Sequence, residues 1–146
     1  MTIYYKFICL LILGLVGCTN HINNAPFVEL NELDDNCLLL NSNGEHAEDG
    51  CEIEYYDKIR EIVHGNWQIP VYLNSHGLES IIIVQVSENG SVEKMAFESR
   101  SKNDEFNECI VKAIRKTKSL PKMPKEFERK CFQIGLSFTT INRNEG

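Results

Sequence analysis

The sequence predicts an α+β fold of two layers, in which two helices cover one face of a three-stranded antiparallel sheet in the order α-β-β-α-β. Three observations predict it: a central hairpin, an amphipathic helix on each side of it, and an alternating strand near the end of the chain. An isolated hairpin is not stable in water, so the flanking segments must cover its apolar face. The domain is predicted to span residues 53–141, with 142–146 as a short tail.

The hairpin is predicted from Leu78–Phe97, where Asn89-Gly90 joins two β-rich runs. Asn-Gly is the strongest short hairpin signal, because both residues tolerate the positive φ of a type I′ turn. With these two residues as the loop, the expected pairs are Val86 with Glu93, Val84 with Met95 and Ile82 with Phe97. This register gives one apolar and one mixed face, as in a sheet that is covered on a single side.

Two amphipathic helices flank the hairpin. The first is predicted from Ile53 to Ile69 and ends before Pro70. Its apolar stripe at helical spacing comprises Tyr56, Ile59, Ile62, Val63 and Trp67. The second is predicted from Asp104 to Lys118 with Asn103 as its N-cap. Its stripe comprises Phe106, Cys109, Ile110, Ala113, Ile114 and Thr117.

The third strand is predicted at Cys131–Thr140, after a rigid connector at Leu120–Pro124. Apolar and polar residues alternate along this segment, which is the pattern of a half-buried strand. The apolar side comprises Phe132, Ile134, Leu136 and Phe138, whereas Gln133, Gly135 and Ser137 lie on the other side.

The first 17 residues are typical of a bacterial export signal. Lys6 precedes the apolar run Phe7–Val16, which is about half as long as a membrane-spanning helix needs to be. Leu15-Val16-Gly17-Cys18 resembles the lipobox of bacterial lipoproteins, in which the cysteine thiol accepts a diacylglycerol and cleavage falls just before it. Cys18 is therefore the predicted lipidation site, and a plain secreted protein cut elsewhere is the alternative.

The predicted location is the periplasmic side of the outer membrane, through the lipid on Cys18. Position 19, directly after Cys18, is Thr rather than Asp. By resemblance to lipoproteins generally, this favours the outer over the inner membrane. Residues 18–52 are polar and acidic, and we expect a flexible tether there, with at most one short ordered piece at Cys37–Leu40.

Composition and motifs argue against several functions. A net charge of −6 and a pI near 5.2 argue against non-specific nucleic-acid binding. No nucleotide-binding, hydrolase or metalloprotease motif is present, and no small-molecule substrate is indicated. The four histidines are scattered, so we expect solvated side chains, no catalytic residues and no cofactor; they are His21, His46, His64 and His76.

Four cysteines follow Cys18, an even number in an oxidising compartment. They are Cys37, Cys51, Cys109 and Cys131, and three pairings are possible. Proximity in sequence favours Cys37–Cys51 and leaves Cys109–Cys131, but a buried free thiol at Cys109 is an equal alternative for that second pair. A metal site at these thiols is disfavoured, because CxxC and HxxxH spacings are absent.

The element order and a set of matching residues resemble the C-terminal domain of the TonB/TolA family, and TolA more closely. The matches extend from about Tyr55 to Thr140. They comprise Tyr56, Ile59-Arg60, Val63, Asn66-Trp67 and Pro70, then Gly90 and Val92, then Ser99, Phe106, Ala113-Ile114, Leu120-Pro121 and Pro124, and finally Leu136 and Phe138.

The resemblance implies a periplasmic protein–protein interaction module whose sheet edge or groove takes up strands from partners. TolB-like proteins, bacteriocins and phage proteins are the partners that it implies. Family members pack the residue at Val92 inward, which the simple register above does not, and a β-bulge between Val92 and Met95 would reconcile the two. Some TolA-like domains tie the second helix to the first strand by a disulfide, and Ser80 stands at that place here.

Three functions follow. The first is a lipid-anchored interaction module of the cell envelope, linked to envelope integrity or transport; the inner-membrane anchor and long stalk of TolA are absent, which argues against energy transduction. The second is a decoy or immunity-like lipoprotein that binds TolA ligands, and the third, disfavoured, is an enzyme.

The partner is expected to bind along a free strand edge. The third strand is the first candidate, because no Lys or Pro interrupts it and its outward residues carry no charge; the residues are Phe132, Gln133, Ile134, Gly135, Leu136 and Ser137. If this strand is central instead, Ser91–Glu98 becomes the edge.

Overall fold

The computed structural model describes residues 24–40 and 50–141. Its regular elements are β1 (Leu38–Leu40), α1 (Gly50–Gly65), β2 (Glu79–Ser87), β3 (Val92–Ser99), α2 (Asp104–Lys116) and β4 (Cys131–Thr139). Short 3-10 turns occur at Leu30–Glu32, Val71–Ser75 and Lys125–Phe127. The four strands form one sheet in the order β1-β4-β2-β3. Strand β1 pairs with β4 in parallel, whereas β2 is antiparallel to both of its neighbours.

The predicted hairpin is present, and most of its register is confirmed. Val84 pairs with Met95 and Ile82 with Phe97, but Val86 pairs with Val92 rather than Glu93. The register shifts at Gln85/Val86, so a bulge turns Val92 inward, where it is 9% exposed. The resemblance thus gave the correct direction for Val92, and strict alternation did not.

The predicted type I′ turn is wrong. Gly90 has a φ of +87°, but Asn89 is not among the described residues with positive φ. The side chain of Asn89 closes the turn instead, because its Oδ1 accepts from the backbone N–H of Ser91 at 3.2 Å. Gly90 also lies against the connector, whose Leu120 donates its N–H to the Gly90 carbonyl at 3.1 Å.

Both helices pack on one face of the sheet, as predicted. Residues of α1 such as Ile59 and of α2 such as Ile110 share one buried cluster with the strand residues Ile82, Val84, Ile134 and Leu136. The Asn103 N-cap is confirmed, since its side chain accepts from the Phe106 N–H at 2.9 Å. Helix α1 begins three residues earlier than predicted and both helices end sooner.

The prediction of three strands is incomplete, because β1 adds a fourth strand beside β4. Only three residues form this strand, which pairs Leu38 with Phe132 and Leu40 with Ile134. Three apolar residues in an acidic stretch carry little periodicity, so the sequence indicated a short ordered piece but not its neighbour in the sheet.

Residues 24–40 differ from the flexible tether predicted for this region, because they pack on the sheet. We call them the N-terminal strap. At one side of the sheet, Met95 of β3 accepts from the Val28 N–H at 3.0 Å and donates to the Pro26 carbonyl at 3.1 Å. Leu33 then packs against Ile83 and Ala96 on the face opposite the helices. The strap ends as β1 at the other side.

Hydrogen bonds hold the strap along one row of the sheet, in which Gln85 pairs with Lys94 on one side and Gln133 on the other. Lys94 Nζ donates to the Glu32 carbonyl at 2.7 Å. Gln85 Oε1 accepts from the Asp34 N–H at 2.9 Å, and Gln133 Nε2 donates to the Asp34 carbonyl at 2.7 Å. The polar residues of the second face thus bind backbone instead of facing water.

Candidate functional site

Strand β4, the first candidate for a partner-binding edge, lies inside the sheet between β1 and β2. Its residues Phe132, Gln133 and Ile134 pair with β1, so the prediction of a free edge is wrong there. The physical reason is that the strap supplies a strand that the sequence did not reveal.

The remaining edge residues of β4 lie under α1 or face the core. Tyr56 donates its hydroxyl hydrogen to the carbonyl of Gly135 at 3.1 Å. His64 lies against the backbone of Ser137. Leu136 is fully buried. Side chains of a helix therefore occupy positions where an added strand would have to pair.

Strand β3 lies at the end of the sheet opposite β1. It corresponds to Ser91–Glu98, the alternative docking edge that the sequence left open. The strap bonds to only one residue of its outer side, Met95. Outward and inward backbone groups alternate along an antiparallel strand, so the N–H and C=O of Phe97 point outward as those of Met95 do. Within residues 24–40 and 50–141, no further loop or turn hydrogen bond reaches the backbone of Phe97.

A groove of about 380 Å³ lies between this open end of β3 and the outer side of α2. Its lining comprises Phe27, Phe97, Arg100, Asn107, Glu108, Val111, Lys112 and Arg115. We call it the β3 groove. Its floor is aromatic, because the rings of Phe27 and Phe97 are 5.4 Å apart and the Arg100 guanidinium lies 5.1 Å from the Phe97 ring centre.

The rim of the β3 groove is basic. Three cations, Arg100, Lys112 and Arg115, face one acid, Glu108. Lys112 pairs with Glu108 at 3.7 Å, and Arg100 pairs with Asp104 at 3.8 Å. These pairs are exposed and contribute little to stability. The groove can therefore accept an extended segment that carries an apolar side chain and acidic groups.

The cysteines form a bridge that proximity in sequence did not favour. Cys37 is joined to Cys131, because parallel pairing of β1 with β4 brings these two residues side by side. Cys51 is free and exposed, and Cys109 is free and half-buried. Burial raises the pKa of the Cys109 thiol. Asp34 lies with the two bridged sulfurs, but a disulfide offers no thiolate to a metal ion.

The tie that the resemblance implied between the second helix and the first strand of the domain is made by hydrogen bonds. Ser80 of β2 donates its hydroxyl hydrogen to Asn107 Oδ1 of α2 at 2.7 Å. Ser101 donates its N–H to the Ser80 hydroxyl at 2.9 Å and accepts from Asn107 Nδ2 at 2.8 Å. Both Ser80 and Asn107 are buried, so this network fixes α2 against the sheet beside the β3 groove.

The structure places His64 and Trp67 in an aromatic cluster at the end of α1. The His64 ring stacks on Phe138 at 4.6 Å, and Trp67 packs edge-on against Phe138 at 5.0 Å. Burial is the main cause that lowers the pKa of His64, with a smaller effect of Arg60. The expectation of a solvated His64 is therefore wrong, whereas His21 and His46, like the lipidation site Cys18, lie outside the described residues.

Residues 53–138 match the family model described as TonB C terminal. The matched region contains α1 except its first three residues, all of α2, β2 and β3, and all of β4 except its last residue. No curated protein and no solved structure matches the chain. Among the described residues, no helix has the length and apolar character to cross a membrane.

Proposed function

Since the chain belongs to the TonB C-terminal family, we propose that it is a lipid-anchored interaction module of the cell envelope that binds partner proteins by strand addition at β3. The observation that carries the proposal is the open backbone of Phe97 at the edge of the sheet. An extended peptide can pair with such an edge through main-chain hydrogen bonds, while pockets beside the edge select its side chains.

The surroundings of Phe97 support β3 over β4 as the docking edge. Strand β4 is covered by β1 and by side chains of α1, whereas among the described residues the backbone of the outer side of β3 is bonded only at Met95. The β3 groove lies directly beside the open part. Its aromatic floor and basic rim fit a partner strand with an apolar residue next to acidic ones, which narrows the partner class to acidic extended segments of envelope, bacteriocin or phage proteins.

Lipid attachment at Cys18 is the second part of the proposal, and the lipobox-like run Leu15-Val16-Gly17-Cys18 supports it. We expect Cys18→Ser to block acylation and to leave an unlipidated precursor. Palmitate incorporation measured in cells would fall to background in the variant. Equal palmitate incorporation in both proteins would exclude the lipid anchor. It would leave the proposal of docking at β3 unaffected.

Site-directed photocrosslinking in cells tests the docking edge. A photoreactive residue in place of Lys112 or Arg115 lies on the rim of the β3 groove, whereas the same residue at Lys58 lies on α1, the helix whose side chains cover β4. Adducts of one size at both rim positions and none at Lys58 are expected. Adducts at Lys58 alone would place the partner on α1 and would exclude this edge.

A further inference from the structure

A further cavity among the described residues differs from the β3 groove in its position. Its volume is about 520 Å³, and it lies where the hairpin turn meets the loop before β4. Its lining comprises Glu88, Asn89, Lys122, Met123, Pro124, Lys125, Glu128, Arg129 and Lys130. We call the four cations Lys122, Lys125, Arg129 and Lys130 the basic end.

The cations of the basic end are exposed, and none of them forms an ion pair with any described residue. The segment from Lys116 to Lys130 carries six cations and two acids, a net charge of +4, while the remaining chain carries −10. The molecule is therefore strongly polarised, although its net charge is negative. A field of this kind orients the chain at a charged surface.

The backbone fixes the basic end in place. Glu88 of the hairpin turn donates its N–H to the Lys130 carbonyl at 2.9 Å and accepts from the Met123 N–H at 2.9 Å. The Cys37–Cys131 bridge lies immediately beyond Lys130. Four cations are thus presented from a loop that is tied at both of its sides.

The path of the strap brings the start of the described chain to the same end of the sheet. Phe27 pairs with Met95 in parallel, and β3 begins at the hairpin turn. Residues before Phe27 therefore lie on the hairpin side of Met95. Cys18 precedes Asn24, the first described residue, by six positions. Six extended residues span at most about 20 Å.

We propose that the basic end rests on an anionic membrane surface, with the lipid on Cys18 holding it there. Chain length and charge both favour a membrane as the surface that the basic end binds. A lipid at Cys18 keeps this end near the bilayer. Several fixed cations attract anionic headgroups over about 8–10 Å. The acidic remainder of the chain faces away from the surface. This orientation rests on the proposed lipid anchor, but the attraction itself does not need it.

Flotation with vesicles tests the attraction in the full chain carrying Cys18→Ser, which removes the lipid. Binding is compared between neutral phosphatidylcholine vesicles and vesicles that also contain phosphatidylglycerol. Because the apolar run Phe7–Val16 remains, binding to neutral vesicles measures that run and the difference measures charge. We expect stronger binding to the anionic vesicles than to the neutral ones. Salt at about 0.5 M should abolish this difference, because it screens surface charges.

Charge reversal locates the effect. Lys125→Glu with Lys130→Glu should lower binding to anionic vesicles by at least about 25-fold, because each cation near such a surface contributes about fivefold. The matched control, Lys58→Glu with Lys102→Glu, makes the same change in net charge outside the cavity and should lose far less. A far-ultraviolet spectrum verifies that each variant is folded.

Equal loss in the two double variants would overturn the proposal, since net charge alone would then explain the binding. Equal binding to neutral and anionic vesicles would overturn it as well. If polyglutamate protects Lys122, Lys125 and Lys130 from acetylation and anionic vesicles do not, the basic end binds an acidic protein instead. Failure of Cys18 acylation would be seen separately, in palmitate incorporation.

Discussion

Gly90 shows most directly how a single residue holds the hairpin against the connector. Its φ is +87°, and a Cβ built on it would lie 2.1 Å from the Leu120 carbonyl oxygen. Residues that carry a Cβ rarely adopt this φ. The nearby atom belongs to the backbone, so moving it aside costs free energy. We expect Gly90→Ala to lower the free energy of unfolding by about 2 kcal/mol or more.

Urea denaturation measures this loss, and Gly65→Ala is the matched control. Gly65 ends α1, its φ is not positive, and a Cβ there would meet nothing within 4 Å. Alanine at such a site should leave stability unchanged or raise it by about 0.5–1 kcal/mol. If both variants lose the same stability, the contact between the turn and the connector is not what matters at Gly90.

His64 makes the stability of the fold depend on pH. Burial lowers its pKa below the ordinary value near 6.5, so the folded state favours the neutral ring. Its contribution to stability is therefore present above pH 6.5 and is lost as the pH falls below that value. We expect the free energy of unfolding to fall between pH 7.5 and 5.5, and to fall less in His64→Phe.

Phenylalanine at position 64 can still stack on Phe138 but does not titrate. His21, His46 and His76 remain in both proteins and cancel in the comparison. Parallel pH profiles of the two proteins would show that His64 titrates as it does in the unfolded chain.

At the residue scale, the sequence was informative where local chemistry decides. Asn103 is the predicted N-cap, and the Val84–Met95 and Ile82–Phe97 pairs are those expected with Asn89 and Gly90 as the loop. The Cys37–Cys131 bridge could not be found this way, because the two residues are separated by 94 positions. Only the pairing of β1 with β4, which is a long-range contact, makes them neighbours.

At the scale of elements, the N-terminal strap is what the sequence missed. It lies outside the segment that matches the family, and its regular pieces, a three-residue turn and a three-residue strand, are too short to show a periodic pattern. Its backbone is also held by side chains of Lys94, Gln85 and Gln133, and such contacts leave no periodic pattern. The helices and β2–β4 were predictable because each has a full apolar stripe.

The Cys37–Cys131 bridge fastens the strap, and its loss should cost stability. The loop that it closes spans 94 residues, and cross-links over loops of this length typically stabilise by about 4 kcal/mol through the unfolded state. We expect the double variant Cys37→Ser, Cys131→Ser to lose free energy of unfolding of about that size and therefore to unfold at a lower urea concentration.

The control for the bridge is the double variant Cys51→Ser, Cys109→Ser, which removes the two free thiols. It should denature close to the wild-type midpoint. If neither the variant without the bridge nor wild-type protein in a reducing agent shows a lower urea midpoint, the bridge does not fasten the strap.

At the scale of the whole molecule, the proposed function depends on which sheet edges are covered and which are exposed. The strap adds β1 beside β4 and forms backbone hydrogen bonds to the outer edge of β3 at Met95 alone, so among the described residues the β4 edge is covered along Phe132–Ile134 and the β3 edge is partly open. The sequence predicted a docking edge and offered both β4 and Ser91–Glu98 as candidates, but strand order depends on long-range pairing that periodicity does not encode. The open edge therefore became identifiable only from the sheet order.

The affinity for the partner, measured for Phe97→Pro and for Phe97→Ala, tests strand addition at β3 most directly. Both substitutions remove the ring from the β3 groove, but only proline removes the N–H that faces outward, and proline is tolerated at such an edge position. With the partner captured at Lys112, we expect Phe97→Ala to keep measurable binding and Phe97→Pro to abolish it while the domain stays folded. Equal affinity of the two folded variants would contradict main-chain pairing at this edge.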